Sequence, residues 1–426
     1  MSTSVPVGSP LARKLYSVGL FTRVQQAPGF MNLISGEMPK DGSFAAKTKG
    51  QTSPDYPIVK TGDLAKGAGD TISVDLFNIL QGKPVMGDKR IEGRMMPLTY
   101  SSMDVSINQT RGGADSGGRM TQKRTVHNLR NISMMGLQAW MQRLEDQTSL
   151  VHLAGARGYQ QTSDWVVPLQ ADSDFSEILI NPIKAPTKNR YFAANDATGP
   201  NDIGSNDALT LQDIDRIIAQ LKESPVIMQS IKIKDDEQAW NDPLWCMFVT
   251  ERQWLYLQSR TSQTQWRQAV QNAYERKTPG MKHPLFNSMK SIMWGGMLIR
   301  PLSRYAIRFT AGSSVVVDTG GSDGNTYTES TVSVSATTDN DVDRAIIVGA
   351  QALAKAYGKS NSDYFYDWSE KEVDHGNSIE TVAAQMNGCA KIRFKIDGAD
   401  TDFGVAVVDS YAPNPNSSAG RTLLGS

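Results

Sequence analysis

Three stretches decide the fold: residues 71–76 read TISVDL, residues 103–108 read MDVSIN, and residues 121–155 read TQKRTVHNLRNISMMGLQAWMQRLEDQTSLVHLAG. In the first two stretches apolar and polar residues alternate, which predicts two strands. Their connector predicts a solvated loop tip, because it is charged and rich in turn residues: Gly82, Lys83, Pro84, Gly87, Asp88, Lys89, Arg90, Glu92, Gly93 and Arg94. The two strands make a long ribbon with one apolar stripe. We expect that stripe to lie against another surface, since a two-stranded ribbon is marginally stable alone in water.

The third stretch predicts one long helix over residues 121–154. Apolar residues recur there at three- and four-residue steps without a proline, and Gly155 and Gly158 supply the stop. About 34 residues at 1.5 Å each span roughly 50 Å, whereas a globular helix averages about 11–12 residues. An ordinary core helix or a coiled-coil arm stays open as an alternative reading, although Asn131 and Gly136 disfavour the coiled coil.

Composition excludes several classes of protein. The 426 residues suffice for two or three domains. The 44 Lys and Arg balance 44 Asp and Glu, so no basic field indicates a repressor or a histone-like protein. No apolar run is long enough for a membrane span, and the N-terminus lacks the pattern of a secretory signal, so we expect cytosolic synthesis. Cys246 and Cys389 fit neither a disulfide framework nor a zinc knuckle.

The rest of the chain divides into an N-terminal segment and a mixed second half. Residues 1–68 hold a short amphipathic piece at 11–24 and little other core material, so they predict an arm lying on other structure. Residues 156–207 predict loops and isolated strands. After these we predict helices opened by Thr210 with Asp213 and by Thr250 with Gln253. The remaining predictions are a strand at 245–249, a helix at 266–274, a hairpin about Gly295 and Gly296, two strands within 311–343, a helix at 345–357, a strand at 403–408 and an extended surface tail from Tyr411.

The sequence contains a catalytic-looking motif, but the partner residues that its chemistry requires are missing. Ala114-Asp115-Ser116-Gly117-Gly118 resembles the nucleophile segment of chymotrypsin-like proteases, but that family places its histidine first. All four histidines here follow Ser116: His127, His152, His283 and His375. They have no metal-ligand spacing, and we expect His127 and His152 to lie partly exposed on the long helix. We therefore predict no catalytic residue, no cofactor site, no metal site and no enzyme.

Two further motif matches are discarded for similar reasons. Gly358-Lys359-Ser360 ends like a phosphate-binding loop, but Leu353 stands where its first glycine belongs. Asp339, Asp341 and Asp343 imitate a calcium loop, but Arg344 and Ala350 occupy its glycine and bidentate positions. A solvated acidic turn is the better reading of these aspartates.

The order of polar arm, long ribbon, long helix and compact α+β region resembles the major capsid protein fold of tailed phages (Hong-Kong-97-like), which is shared with encapsulin shells. Several segments resemble the branch typified by coliphage N-four, and they occur in that family's order along almost the whole chain. They are LARKLYS at 11–17, APTKNR at 185–190, LTLQDID at 209–215, FVT at 248–250, HPLF at 283–286, VGAQAL at 348–353 within 344–359, and DFGVAVVD at 402–409.

This resemblance implies a domain plan. The plan is an N-terminal arm at 1–68, an extended β-ribbon loop at 69–110, a peripheral domain at 111–207 with its spine helix at 121–154, a mainly axial domain at 208–400 that returns to the peripheral domain near 311–343, and a final strand and tail at 401–426. An apolar ribbon without a partner in its own chain is then explained by contact with a neighbouring subunit. Lys83 and Lys89 at the ribbon tip are read as hydrated charges or salt-bridge partners rather than as the cross-linking lysines that some members carry.

The resemblance also implies function and partners. We expect a structural subunit that assembles as pentamers and hexamers into an icosahedral head around double-stranded DNA, in the host cytoplasm and then in the virion. The expected partners are further copies of the chain, a separate scaffolding protein, a portal protein, a decoration or cement protein, and non-specific contact with packaged DNA, with no membrane. We expect no large N-terminal segment to be removed. An encapsulin-type compartment is the alternative, a secreted β-rich binding protein is disfavoured by the missing signal, and a hydrolase built on Ser116 comes last.

Overall fold

The part of the chain that the structure describes folds around two large β-sheets, of five and seven strands. The computed structural model describes residues 7–26, 29–36, 52–62, 69–77, 83–95, 100–124, 128–224, 226–233, 236, 242–276, 285–286, 290–302, 304–358, 365–396 and 398–425. The helices are α1 (Pro10–Gln26), α2 (Phe30–Leu33), α3 (Arg119–Arg124), α4 (Leu129–Ala154), α5 (Phe175–Ile178), α6 (Leu211–Glu223), α7 (Glu251–Arg260), α8 (Gln263–Glu275) and α9 (Ser418–Leu424). The strands are β1 (Ile58–Thr61), β2 (Thr71–Phe77), β3 (Tyr100–Ser106), β4 (Asn108–Asp115), β5 (Tyr191–Ala193), β6 (Trp245–Thr250), β7 (Ile292–Trp294), β8 (Met297–Leu302), β9 (Ile307–Phe309), β10 (Ser314–Asp318), β11 (Glu329–Ser333), β12 (Val342–Val348), β13 (Leu353–Gly358), β14 (Tyr366–Val373), β15 (Ser378–Lys391), β16 (Arg393–Ile396), β17 (Ala399–Asp402) and β18 (Val405–Tyr411).

A seven-stranded mixed sheet forms the centre of the second half. Its order is β5-β18-β12-β6-β8-β7, and β9 also pairs with β12. Every residue of β6, β12 and β18 is buried, so these strands lack the alternation of buried and exposed residues that a half-exposed strand shows. Helix α6 packs its face of Ile214, Ile217 and Leu221 on this sheet, and its predicted capping box of Thr210 and Asp213 is confirmed.

A five-stranded sheet carries the long helix. Strands β1, β13, β15 and β14 form its path, and β4 also pairs with β15. Helix α4 lies on this sheet through Met134, Leu137 and Met141. The helix ends as predicted, at Gly155 with φ of 66°.

The predicted start of the long helix is wrong. Residues 119–124 form the separate helix α3, and α4 begins after Asn128, whose side chain accepts a hydrogen bond from the backbone N–H of Asn131. Because Asn128 caps the start of a new helix, the prediction of one continuous helix over residues 121–154 is wrong. The 26 residues of α4 span about 39 Å rather than roughly 50 Å.

The predicted helix over 345–357 is also wrong. These residues form the end of β12, a turn with Gln351 at φ of 55°, and most of β13. Both strands are buried throughout, so their alanine-rich sequence lacks the alternation of a half-exposed strand and mimics a packed helix. A Cβ added to Gly349 would lie 2.3 Å from the carbonyl oxygen of Gln229, so the turn lies very close to another backbone segment.

Most of the smaller elements agree with prediction. Thr250 and Gln253 form a capping box, and residues 263–275 form α8. Gly295 and Gly296 turn the β7–β8 hairpin with positive φ, and β10 pairs with β11. The tail differs from its predicted extended form, because Ser417 caps helix α9 and Ala412 is buried. Among the described residues no helix is both long and apolar enough to cross a bilayer.

Candidate assembly surfaces

The ribbon of β2 and β3 forms as predicted, antiparallel from Thr71 opposite Ser106 to Phe77 opposite Tyr100. Its apolar stripe nevertheless has a partner within its own chain. Ile72, Val74 and Met103 pack against a cluster containing Ala354, Ala356, Ile392, Phe394 and Phe403, and Val105 is fully part of it. The expectation of a stripe without an intrachain partner is therefore corrected: the cluster anchors the base of the ribbon.

Hydrogen bonds and close backbone contact fix the same base. The Asn181 side chain accepts from the Ser106 N–H at 3.0 Å and donates to the Ser106 carbonyl at 2.9 Å and the Cys389 carbonyl at 3.1 Å. A Cβ added to Gly388 would lie 1.9 Å from the Ser106 carbonyl oxygen, so only glycine allows this approach. The chain then continues into β4, which pairs with β15 beneath α4. The ribbon is therefore attached directly to the sheet that supports the long helix.

The tip of the ribbon is exposed and partly apolar. Met86, Ile91 and Met95 keep 69%, 59% and 75% of their surface accessible. Lys83 and Lys89 are exposed as well. A Cβ added to Gly87 or Gly93 would meet nothing within 4 Å. Three exposed large apolar side chains within one short segment are unusual for a solvated loop and are typical of a contact surface.

Helix α1 presents a second exposed apolar surface. It is held to β14 by the Ser17 hydroxyl, which accepts from the Trp368 N–H at 3.1 Å, and by Arg13, whose guanidinium contacts both carboxylate oxygens of Asp367. Leu11, Leu15 and Val18 lie on a flank of the helix and are exposed. Their spacing of four and three residues makes an exposed apolar stripe along the helix.

The rejected catalytic readings can be placed in the structure. Ser116 is buried and its Oγ lies 3.5 Å from the Ser133 Oγ, while His375 is exposed on the turn between β14 and β15. Asp341 pairs with Arg252. Asp343 is buried in β12, which corrects its interpretation as part of a solvated acidic turn; it pairs with Arg308 at 2.6 Å and accepts from the Thr250 hydroxyl. No group of metal-ligating side chains occurs among the residues that the structure describes. His127, His283, Lys359 and Ser360 lie outside the described residues.

His152 is buried, which corrects its predicted partial exposure. It lies on the last turn of α4 and borders a small pocket with Thr148, Lys355 and Cys389. Burial, together with the positive charges of Lys391 and Lys355, lowers its pKa from 6.5 to about 4. The folded chain therefore keeps this imidazole neutral in mildly acidic solution.

Replacing His152 with methionine is expected to flatten the acid dependence of stability. The unfolded chain protonates this imidazole below about pH 6.5 and the folded chain only near pH 4, so wild type loses about 3 kcal/mol as the pH falls through that window. The measurement is the difference in urea unfolding free energy between wild type and His152→Met at neutral pH and near pH 4. Comparing the two proteins cancels the contributions of the other titrating groups, which both proteins share. Asp146 is one of them, and its raised pKa makes the folded chain more stable as the pH falls, the opposite of the effect of His152. The same pH dependence in both proteins would contradict this expectation.

Comparison with known proteins identifies the family. A family model described as phage capsid protein matches residues 4–414 of this chain. The chain belongs to that phage capsid protein family. The capsid protein is also 28% identical over 140 residues to the major capsid protein of Pseudomonas phage KPP25. That match covers 32% of this chain and 36% of the relative, so it spans about a third of the relative's length.

Solved capsid structures share the fold of this capsid protein. The capsid of Ralstonia phage GP4 aligns with 98% of this chain and 100% of that chain, at a TM-score of 0.69 and 24% identity. The Cyanophage Pam1 capsid aligns with 89% and 95% of the two chains, at a TM-score of 0.57 and 17% identity. The predicted α+β fold of tailed-phage capsids is confirmed, whereas the branch typified by coliphage N-four stays a prediction.

Proposed function

We propose that this chain is the major capsid subunit that closes, as pentamers and hexamers, into the icosahedral head around phage double-stranded DNA. The observation that carries the proposal is the ribbon: its base is fixed within the subunit, while its tip exposes Met86, Ile91 and Met95. An anchored arm with an apolar end suits contact with a neighbouring copy. Membership of the phage capsid protein family supports the same reading and favours a phage head over an encapsulin-type compartment.

The proposal assigns the domains as follows. Residues 1–68 are the N-terminal arm, 69–110 the extended loop, 111–207 the peripheral domain, 208–400 the mainly axial domain with a return near 311–343, and 401–426 the final strand and tail. Scaffolding, portal and decoration or cement proteins are the proposed partners beyond the chain itself, and packaged DNA is contacted without sequence specificity. The chain acts in the virion after assembly in the host cytoplasm, and its role is structural rather than enzymatic.

Shell stability in this proposal comes from repetition. A single contact between subunits is modest, because association costs translational and side-chain freedom. Each copy repeats the same contacts with several neighbours, so the sum over a closed shell is large. The balanced charge of 44 cationic and 44 anionic residues suits a shell that encloses DNA without condensing it.

The decisive experiment is assembly of the purified protein. Light scattering and negative-stain microscopy, with and without the phage's scaffolding protein, are expected to show capsomers and closed shells. A protein that stays monomeric under both conditions would overturn the proposal. Shells that take up a cargo protein encoded beside the gene, instead of DNA, would establish the encapsulin alternative.

A further inference from the structure

An open groove lies between helix α6, helix α8 and the turn of the β7–β8 hairpin. Its volume is about 630 Å³, within the usual range of about 300–1,000 Å³ for sites that bind small molecules. The side chains that line it are Asp215, Gln268, Gln271, Asn272, Glu275 and Trp294. The ribbon and helix α1 contribute none of them, so the groove is separate from the exposed apolar surfaces described above.

The aromatic ring in the groove is held in place. Trp294 ends strand β7, is partly exposed, and packs against the apolar cluster beneath α6. Its indole N–H donates to the Asp215 carboxylate at 2.8 Å. A Cβ added to Gly295 would lie 2.8 Å from the Ile218 Cδ1, so the hairpin turn lies directly against α6. The indole is therefore a fixed surface, which loses little freedom when a ligand covers it.

Helix α8 supplies most of the polar lining. Gln268, Gln271, Asn272 and Glu275 follow one another at steps of three, one and three residues, so they lie on one face of the helix, and all four are exposed. The Gln271 Nε2 donates to the Glu275 Oε1 at 2.7 Å, which orients both groups. Carboxamides both donate and accept hydrogen bonds, whereas carboxylates only accept. The groove therefore offers many hydrogen-bonding groups beside one aromatic face.

We propose that this groove binds a neutral oligosaccharide. Sugar hydroxyls both donate and accept hydrogen bonds, which matches a lining of carboxamides and carboxylates. The C–H face of a pyranose ring packs against the electron-rich face of an indole. The inference concerns the folded subunit and holds whether or not the subunit forms the proposed shell.

Other classes of ligand fit this lining less well. A nucleic acid or a phosphate needs cations, and none of the lining side chains that the structure describes is cationic. An apolar ligand needs a mainly apolar lining, whereas five of the six lining side chains named above are polar. A cationic peptide would use the carboxylates and the indole, but Asp215 and Glu275 already accept hydrogen bonds from Trp294 and Gln271.

Ligand-observed NMR titration of the purified full-length subunit tests the proposal, with maltotriose and the trimer of N-acetylglucosamine as probes. An open groove covers only one side of a ligand, so we expect a dissociation constant of about 1 mM for at least one of the two sugars. The affinity should be the same at about 0.1 M and about 1 M salt, since the ligand has no charge to screen. Absence of binding by both sugars at about 10 mM, roughly ten times the expected constant, would overturn the proposal.

Variants place the binding in the groove. Trp294→Leu keeps an apolar side chain against the cluster but removes the aromatic face, and is expected to weaken binding at least about tenfold. Gln271→Met removes one hydrogen-bonding group from an exposed helix position and is expected to weaken binding about threefold. The matched control is Gln263→Met, on the first turn of α8 and outside the groove, which should bind as wild type does. Equal affinities in all three variants, each with a native circular dichroism spectrum, would overturn the proposal.

A pentalysine peptide tests the competing cationic ligand. Binding of this peptide that is tighter than that of either sugar, and that Trp294→Leu abolishes, would assign the groove to a cationic partner and overturn the proposal. Retention of the subunit on beads that carry the same two sugars would extend the assignment to surface glycans, whereas binding in solution alone would restrict it to free sugars.

Discussion

Replacing Arg344 with methionine is expected to lower the free energy of unfolding by about 3–5 kcal/mol, because it leaves a buried carboxylate without its cation. Arg344 on β12 and Asp409 on β18 are cross-strand partners, and both side chains are wholly inaccessible. Two hydrogen bonds of 2.7 Å join the guanidinium to the carboxylate. A third, of 3.1 Å, reaches the carbonyl oxygen of Ala154 at the end of α4.

The third bond gives this ion pair its importance. A cation at the C-terminus of a helix satisfies carbonyl groups that have no partner within the helix. Arg344 thereby ties the long helix, which lies on the five-stranded sheet, to the centre of the seven-stranded sheet. Loss of the arginine is expected to affect both parts of the subunit in one transition.

The measurement is urea unfolding followed by tryptophan fluorescence, with Arg13→Met as the matched control. The Arg13–Asp367 pair has equally short contacts, but its side chains are 51% and 25% exposed. Such pairs contribute at most about 1 kcal/mol. The double variant Arg344→Met with Asp409→Leu should recover part of the loss, since it removes the uncompensated charge. Equal midpoints for Arg344→Met and Arg13→Met would contradict the expectation.

The confirmed predictions concern elements whose structure is determined by residues close together in the sequence. The Thr210 and Thr250 capping boxes each depend on residues three positions apart, and the Gly295-Gly296 turn on two adjacent residues. The ribbon strands alternate because one face of the ribbon is packed and the other is solvated. These signals need no knowledge of the distant chain.

The wrong predictions concern segments whose structure depends on contacts with residues far away in the sequence. The alanines at 345, 350, 352, 354 and 356 favour a helix by intrinsic propensity, but the positions lie in or beside strands buried on both faces. The partner of the ribbon stripe includes Phe394 and Phe403, about 300 residues further along, so no local pattern could reveal it.

Replacing Met86, Ile91 and Met95 together by glutamine is expected to leave the subunit folded and to prevent assembly at concentrations where wild type forms shells. The three side chains are exposed in the subunit, so their loss should change the unfolding free energy by less than about 0.5 kcal/mol. Burying one such side chain against a neighbour contributes roughly 1.5–3 kcal/mol. Since about 1.4 kcal/mol is a tenfold change in affinity, even the single variant Ile91→Gln should raise the concentration for half-maximal assembly about tenfold.

The control for that single variant is Ile227→Gln. Ile227 is 58% exposed and Ile91 is 59% exposed, so the two substitutions remove equal apolar surface from a folded subunit. Exposed apolar residues that stand alone are ordinary on protein surfaces, whereas Ile91 shares the ribbon tip with two exposed methionines. Scattering titrations that place both variants at the wild-type concentration would show that the tip is not a contact surface. A shift confined to Ile91→Gln would separate the two functions of the ribbon: its base stabilises the subunit and its tip binds the neighbour.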